Sequence, residues 1–304
     1  MKYLPFTKYS FTGSPVACPI CGNSKRTQIS RYDRRFKILP QSKCDECALV
    51  RHEFMLSDEQ LSQYYSTSYR SDYQWVNSAP TSRHIEKRVS EAKTRLNNLN
   101  PYLKKNPKIL DFGCGSGEFI ELAQKKGALA TGFEPGDLYA AYARDQKRLD
   151  VQNCGWENYD QKKKVDVVTA FHVFEHLIDP LKAFQKSISW LNKNGLIYIE
   201  VPNMAKGLKL KGFGSLHMAH TIGFGRYSLE LLGAYCGMKT IEVFDEFDIG
   251  MIFKKGIPRP LEEIKKNSID EFANINSKQV NKQFWLYSTR KLFGKRYKNS
   301  FIVQ

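Results

Sequence analysis

Residues 108 to 117, Lys-Ile-Leu-Asp-Phe-Gly-Cys-Gly-Ser-Gly, constrain this chain more than any other stretch. Ile109, Leu110 and Phe112 read as the end of a buried strand, and Gly113, Gly115 and Gly117 turn it into the amphipathic run Glu118 to Lys126. A strand, a glycine turn and a helix make a cradle for a polar ligand. Glycine lets the backbone approach closely, and the helix N-terminus offers free N–H groups at the positive end of its dipole. The next apolar run, Ala128 to Phe133, ends in Glu134, seventeen positions after Gly117. A carboxylate that closes a second strand is placed to hold ribose hydroxyls, as in dinucleotide-binding folds. The glycines run G-x-G-x-G, however, and Glu118 stands where the dinucleotide fingerprint G-x-G-x-x-G has its last glycine, so the reading moves away from NAD.

With Glu134, the run Asp111-Phe112-Gly113-Cys114-Gly115-Ser116-Gly117 resembles class I S-adenosylmethionine-dependent methyltransferases. Val165 to His176 is similar to their fourth strand and the loop after it, and Asn194 to Asn203 to their fifth strand. The resemblance covers residues 85 to 250. It implies a doubly wound, seven-stranded, mostly parallel sheet that binds S-adenosylmethionine. By the same resemblance, Asp111 steers the methionine amino group, Gly113, Gly115 and Gly117 form the cradle, and Glu134 holds the ribose. Phe171 and Trp156 are grouped with them as cofactor contacts. The alternative on these residues is a doubly wound domain that binds another nucleotide.

Cys18-Pro-Ile-Cys21 and Cys44-Asp-Glu-Cys47 are two C-x-x-C knuckles separated by 22 residues. Each aims two thiolates at one point, so together they complete a tetrahedral Zn²⁺ site with no open position. A structural metal in a small module at residues 1–55 is expected, and its loss should unfold the module. Between the knuckles, Arg31, Arg34, Arg35 and Lys37 form a basic stretch that either touches a substrate phosphate or keeps the module soluble. A zinc ribbon ahead of such a domain resembles bacterial methyltransferases of sugar and cell-surface polysaccharide pathways, and also a ribosomal RNA methyltransferase family. The tyrosine-rich connector at 56–82 (Tyr64, Tyr65, Tyr69, Tyr73, Trp75) is closer to the first group.

The net charge of +16 sits at the two ends of the 304-residue chain. Residues 1–50 hold nine Lys/Arg against three Asp/Glu, and residues 254–304 hold twelve against four, while the middle is nearly balanced. Basic ends suit phosphates, nucleic acid or a membrane surface, or are plain solvated surface. No apolar run approaches the ~18 residues of a membrane span, and no leader-like stretch follows Met1, so a cytoplasmic chain is expected. Seven cysteines in such a compartment favour metal or free thiols over disulfides. The sequence leaves the oligomeric state open.

Helices are expected at 83–105, from Asp179-Pro180 to a stop at Gly195, at 227–235 and across 261–292, and strands at 165–170, 196–201 and 240–244. A short strand at 301–303 is expected to close the sheet. The domain core is taken as 83–250, with a basic helical extension at 251–304. Ligands of open α/β sheets lie at the carboxyl ends of the strands. His172, Glu175 and His176 follow the fourth strand there, and His217 and His220 the fifth. Neutral imidazole is a suitable base for an acceptor's proton near pH 7, with His176 the first choice. In some relatives a Glu-x-x-Glu-His motif binds a divalent metal, but His172 replaces its first Glu here. The leading expectation is methylation of a small hydroxyl or carbon nucleophile, of the sugar or nucleotide-linked glycan type. An RNA methyltransferase and a non-catalytic binding scaffold are the alternatives.

Overall fold

The computed structural model describes residues 6–9, 13–57, 60 and 80–293. The aromatic connector at 64–75 and the strand expected at 301–303 lie outside the described residues.

The N-terminal module contains β1 (Ser14–Pro15), β2 (Arg26–Tyr32), β3 (Ile38–Cys44), β4 (Val50–His52) and β5 (Phe54–Met55). Helix α1 (Ser82–Leu99) opens the core, with Thr81 as its N-cap accepting the His84 N–H. Then come β6 (Lys108–Phe112), α2 (Glu118–Lys125), β7 (Leu129–Phe133), α3 (Asp137–Ala141), β8 (Val151–Gln152), β9 (Val165–Phe171) and α4 (Pro180–Trp190). The chain continues through β10 (Leu191–Pro202), α5 (Met204–Lys211), β11 (Ile222–Gly223), α6 (Arg226–Tyr235), β12 (Met238–Asp245) and β13 (Asp248–Lys255). Helices α7 (Leu261–Glu271) and α8 (Ser277–Phe293) follow.

Seven strands form one sheet in the order β12-β13-β10-β9-β6-β7-β8. The pairs from β10 to β8 are parallel, and β13 runs antiparallel to both β10 and β12. This is the doubly wound, seven-stranded, mostly parallel fold that the sequence implies. Strand order reverses between β6 and β9, whose carboxyl ends carry Phe112 and Phe171. Helices cover both faces, so the central strands are apolar on both sides. Beneath one face Phe112, Phe133, Tyr159 and Trp190 pack together, with Phe133 and Tyr159 stacked at 4.3 Å. Burying each such ring contributes roughly 1.5–3 kcal/mol.

Three expectations are corrected. Helix α4 starts on the Asp179 cap as read, its carboxylate accepting the Lys182 N–H, but it ends at Trp190 rather than at Gly195. Leu191 is already extended and pairs with Val165, so sheet pairing takes the chain out of the helix early. The seventh strand is Asp248–Lys255, which crosses the boundary set at residue 250. Its two-residue connection, Glu246-Phe247, carries none of the Gly or Asn that mark tight hairpins, so the sequence does not announce it. The N-terminal module is also less separate than its cysteines suggest. Its four-stranded sheet, β11-β4-β3-β2, takes an edge strand from the core, with Ile222 opposite Arg51 and Gly223 opposite Val50. The Ser268 hydroxyl donates to the Cys47 carbonyl at 2.7 Å, and Lys265 pairs with Glu46 at 2.6 Å.

Candidate active site

At the carboxyl ends of β6, β9 and β10 lies a cavity of about 620 Å³. That is within the ~300–1,000 Å³ usual for small-molecule sites. Asp111, Gly113, Gly115, Glu134 and Phe171 line it together with His172, Glu175, His176, His217 and His220. The two groups that the sequence separates, cofactor contacts and candidate catalytic residues, therefore share one space. Gly117 and Trp156 are not among its lining residues. Gly117, at φ +81°, caps α2, and a Cβ there would lie 2.4 Å from Leu149 Cδ1. Trp156 packs partly buried against the core beside α4, its ring 6.0 Å from the Lys186 ammonium.

The glycine turn presents backbone to the cavity. Gly115 has φ +55°, and a Cβ placed on it meets nothing nearer than Tyr139 Cδ1 at 4.0 Å. The left-handed backbone favours glycine there, and no protein packing fills the space in front of it. Glu134 is fixed by two backbone donors, Gly115 N–H to Oε2 at 3.0 Å and Gly136 N–H to Oε1 at 2.8 Å. Asp111 is buried, and burial pushes its carboxyl up to about 7, although the Thr169 hydroxyl donates to it at 2.6 Å. A buried carboxyl in this condition gains from a cationic ligand, which would restore its ionisation.

Across the cavity the imidazoles gather around Glu175, itself 1% exposed in the short 3-10 turn Phe174–His176. Its Oε1 lies 3.4 Å from His172 Nδ1, 3.7 Å from His176 Nε2 and 3.9 Å from His220 Nε2. Neither carboxylate oxygen has a partner at hydrogen-bond geometry among the described residues. Burial works against ionisation of Glu175, yet His176 and His172 hold its carboxyl below the usual range. The His176 Nδ1 donates to the Ala219 carbonyl at 2.6 Å and its Nε2 faces Glu175; burial lowers the His176 pKa, with Glu175 and that carbonyl opposing. Glu175, His176 and His220 bring their ligand atoms within 4.8 Å of one another and could hold a metal ion.

His172 is different. It sits at φ +56°, a left-handed conformation unusual outside glycine, and its N–H donates to the Glu200 carbonyl at 2.8 Å. Its side chain is 24% exposed, against 12% for His176 and 9% for His220. Burial opposes its protonation, but Glu175 and Asp248 outweigh that and raise its pKa. Its Nε2 lies 3.6 Å from both Glu200 and Asp248. The His217 and His220 rings lie 3.8 Å apart, tilted at 48°, and burial, with nearby Arg34 adding to it, takes both far below the usual imidazole range.

His84 and Arg95 are among the lining residues that the sequence reading did not single out. His84, on α1, sets its ring edge-on to Tyr139 at 5.6 Å. Arg95 lies over the Phe171 ring at 4.6 Å and donates to Glu200 through Nε at 2.8 Å. Its signal was available: Arg95 falls on the apolar stripe of α1, three residues after Ala92 and four before Leu99, where a buried guanidinium must have a carboxylate partner.

The four N-terminal cysteines converge as well. Cys18 and Cys47 sulfurs are 3.5 Å apart, as are those of Cys21 and Cys44, and all four lie within 4.8 Å of one another. Zn–S bonds of about 2.3 Å on tetrahedral axes place sulfurs near this spacing, so the donor set fits the metal. Among the described residues no helix is long and apolar enough to cross a membrane.

A family model described as a methyltransferase domain matches residues 83–237, half of the chain. The chain belongs to the methyltransferase domain family. Among curated relatives of this family member, the ubiquinone biosynthesis O-methyltransferase of Histophilus somni is 33% identical over 107 residues, covering 32% of this chain and 45% of the relative. That of Actinobacillus pleuropneumoniae is 28% identical over 135 residues, covering 40% and 58%. The chain thus spans about half the length of the curated relatives it matches. Among solved structures, magnesium protoporphyrin IX methyltransferase from Synechocystis PCC 6803 with bound SAH superposes with a TM-score of 0.51 at 10% identity, over 66% of this chain and all of that one. That likeness concerns the fold.

Proposed function

We propose that this methyltransferase-domain chain moves a methyl group from S-adenosylmethionine to a small hydroxyl or carbon nucleophile, of the sugar or nucleotide-linked glycan type. The observation that carries the reading is the single cavity joining the open Gly115 turn and Glu134 to the His172–Glu175 pair. Asp111 would hold the ammonium of the methionine part, and Gly113 and Gly115 would let the ligand lie against backbone. Glu134 would hold the ribose hydroxyls through its carboxylate oxygens. When bound, S-adenosylmethionine supplies an electrophilic methyl on its sulfonium. The chain's own task is then to strip and hold the acceptor's proton while orienting the nucleophile.

The geometry favours His172 over His176 for that proton. His176 has one nitrogen on the Ala219 carbonyl and the other toward Glu175, which makes it an orienting residue. With Nδ1–H toward Glu175, His172 has Nε2 as its basic atom, and Glu175 stabilises the imidazolium that forms. Four thiolates would hold Zn²⁺ as a structural ion in the N-terminal module.

The test pairs binding with turnover: calorimetry with SAH, then SAH release over a panel of nucleotide-linked sugars. His172→Ala should keep SAH affinity and lose about 10²–10⁴-fold in turnover. A chain that does not bind SAH overturns the proposal. The convergence of the Glu175, His176 and His220 ligand atoms within 4.8 Å also supports a second reading, in which the three hold a divalent ion. Metal analysis that finds one ion per chain in the His176→Ala, His220→Ala double variant and two in the wild type would support it.

A further inference from the structure

The turn between β2 and β3 faces the cavity, and Arg34 is one of the residues lining it. Its conformation is held from several sides. Asp33 is wholly buried and accepts the N–H groups of Arg35 at 2.9 Å and Lys37 at 3.1 Å, and the Tyr9 hydroxyl donates to it. Phe36 takes a left-handed φ of +63°, which a non-glycine residue keeps only when its surroundings impose it. Here its ring is clamped by Phe213 at 5.6 Å and Phe284 at 5.4 Å. The Arg34 N–H donates to the Leu216 carbonyl at 2.8 Å, beside His217. A turn of the cysteine module is thus fastened to the loop that carries two of the site's histidines, with Arg34 at the junction.

The same cavity is lined by Lys211, exposed and without an ion pair among the described residues, whereas Lys206 is taken by Asp245 at 2.8 Å. Several of the cavity's carboxylates are engaged: Glu118 by Lys147, Glu91 by Arg88 and Glu134 by two backbone N–H groups. Phe247, 82% exposed, and Leu210, 65% exposed, also line the cavity. Both are exposed rather than packed in the core, and so offer apolar surface to a ligand in the cavity.

We infer that the acceptor is a phosphate-bearing small molecule whose phosphate is held by Arg34 and Lys211 and whose planar part lies on Phe247 and Leu210. This rests on the methyl-transfer reading of the same cavity and names its substrate class. A guanidinium and an ammonium from separate elements match a diphosphate, the guanidinium as a fork and the ammonium as a point charge. A nucleoside diphosphate handle carries both the anion and the ring. The cysteine module then has a role in recognition as well as in folding, since it holds Arg34 in place.

The experiment uses the full-length, zinc-replete chain and two probes, inorganic pyrophosphate and uridine diphosphate, each titrated calorimetrically with and without SAH. Arg34→Gln and Lys211→Gln, on different elements, should each weaken both probes by about tenfold or more, with SAH affinity unchanged. Phe247→Ala should weaken uridine diphosphate alone. If the wild type binds neither probe, or binds them no better than both glutamine variants, the inference is overturned. An RNA oligonucleotide bound more tightly than uridine diphosphate and lost with Arg34 would also overturn it in favour of a polymer. A chain that binds pyrophosphate but not SAH would sink the methyl-transfer reading and spare the anion site.

Discussion

His172 and Glu175 meet at 3.4 Å across a single 3-10 turn, the imidazole on left-handed backbone and the carboxylate sealed beneath it. The pairing sets the sign of a pH effect. Burial alone would lower the His172 pKa, but Glu175 and Asp248 raise it above its ordinary 6.5, while Arg95 opposes them. A base works when neutral, so turnover should fall as pH drops through that raised pKa. Glu175→Gln removes the largest anionic contribution and should move the acid limb of the rate profile to lower pH, with a lower plateau because the imidazolium loses its partner. An acid limb that stays where it was in Glu175→Gln would remove His172 from the role of base.

The two glycines 115 and 117 make opposite predictions although both have positive φ. Asn tolerates left-handed backbone, and the space before Gly115 is open, so Gly115→Asn should fold like the wild type and bind SAH at least tenfold more weakly. Ala at 117 combines φ +81° with a Cβ 2.4 Å from Leu149, so it should destabilise the chain by about 1–3 kcal/mol. Denaturant melts and SAH calorimetry on both variants separate the two. Equal loss of stability in both would mean that the open cradle at Gly115 is misplaced.

Removing the metal should reach beyond the cysteine module. Because β11 completes the module's sheet and Ser268 bonds to Cys47, Cys44→Ser, Cys47→Ser should release about one equivalent of zinc. It should also raise hydrogen exchange in the loop 216–223 as well as in 18–47. Exchange confined to the module, with 216–223 still protected, would show that the shared sheet does not couple the two.

Much of this was legible in the residues, for physical reasons. The G-x-G-x-G turn, Glu134 and the paired knuckles are local patterns, and each lies where its spacing puts it. Asp179 capping Pro180 is local too. What stayed hidden depends on long-range pairing. Strand β13 has no turn signal before it, β11 is two residues long, and the early end of α4 is decided by Leu191 pairing with Val165. The choice among the histidines was likewise beyond the sequence, because the Ala219 carbonyl that fixes His176 comes from 43 residues away. Trp156 was assigned by position in a loop, and loop position does not determine which way a ring packs.

The sixth histidine allows a prediction about stability. His52 is fully buried at the seam of module and core, with Nε2 3.2 Å from the His217 carbonyl, so that nitrogen carries the proton in the neutral ring. Burial lowers its pKa from 6.5 to about 4. A histidine whose folded pKa is depressed contributes its full stability above the unfolded value and loses it as pH falls toward the folded value. The window is therefore between about 6.5 and 4, and a shift of that size corresponds to about 3 kcal/mol of acid destabilisation. His217 and His220 are depressed in the same direction and add to it. Replacing His52 with Gln keeps a donor for the His217 carbonyl and removes the titration. Thermal melts of both proteins at pH 7 and pH 5, with zinc in excess, read out the difference. The variant should lose less stability between the two pH values, even if it is the less stable protein at pH 7. Identical losses in both would mean that His52 does not titrate in this window.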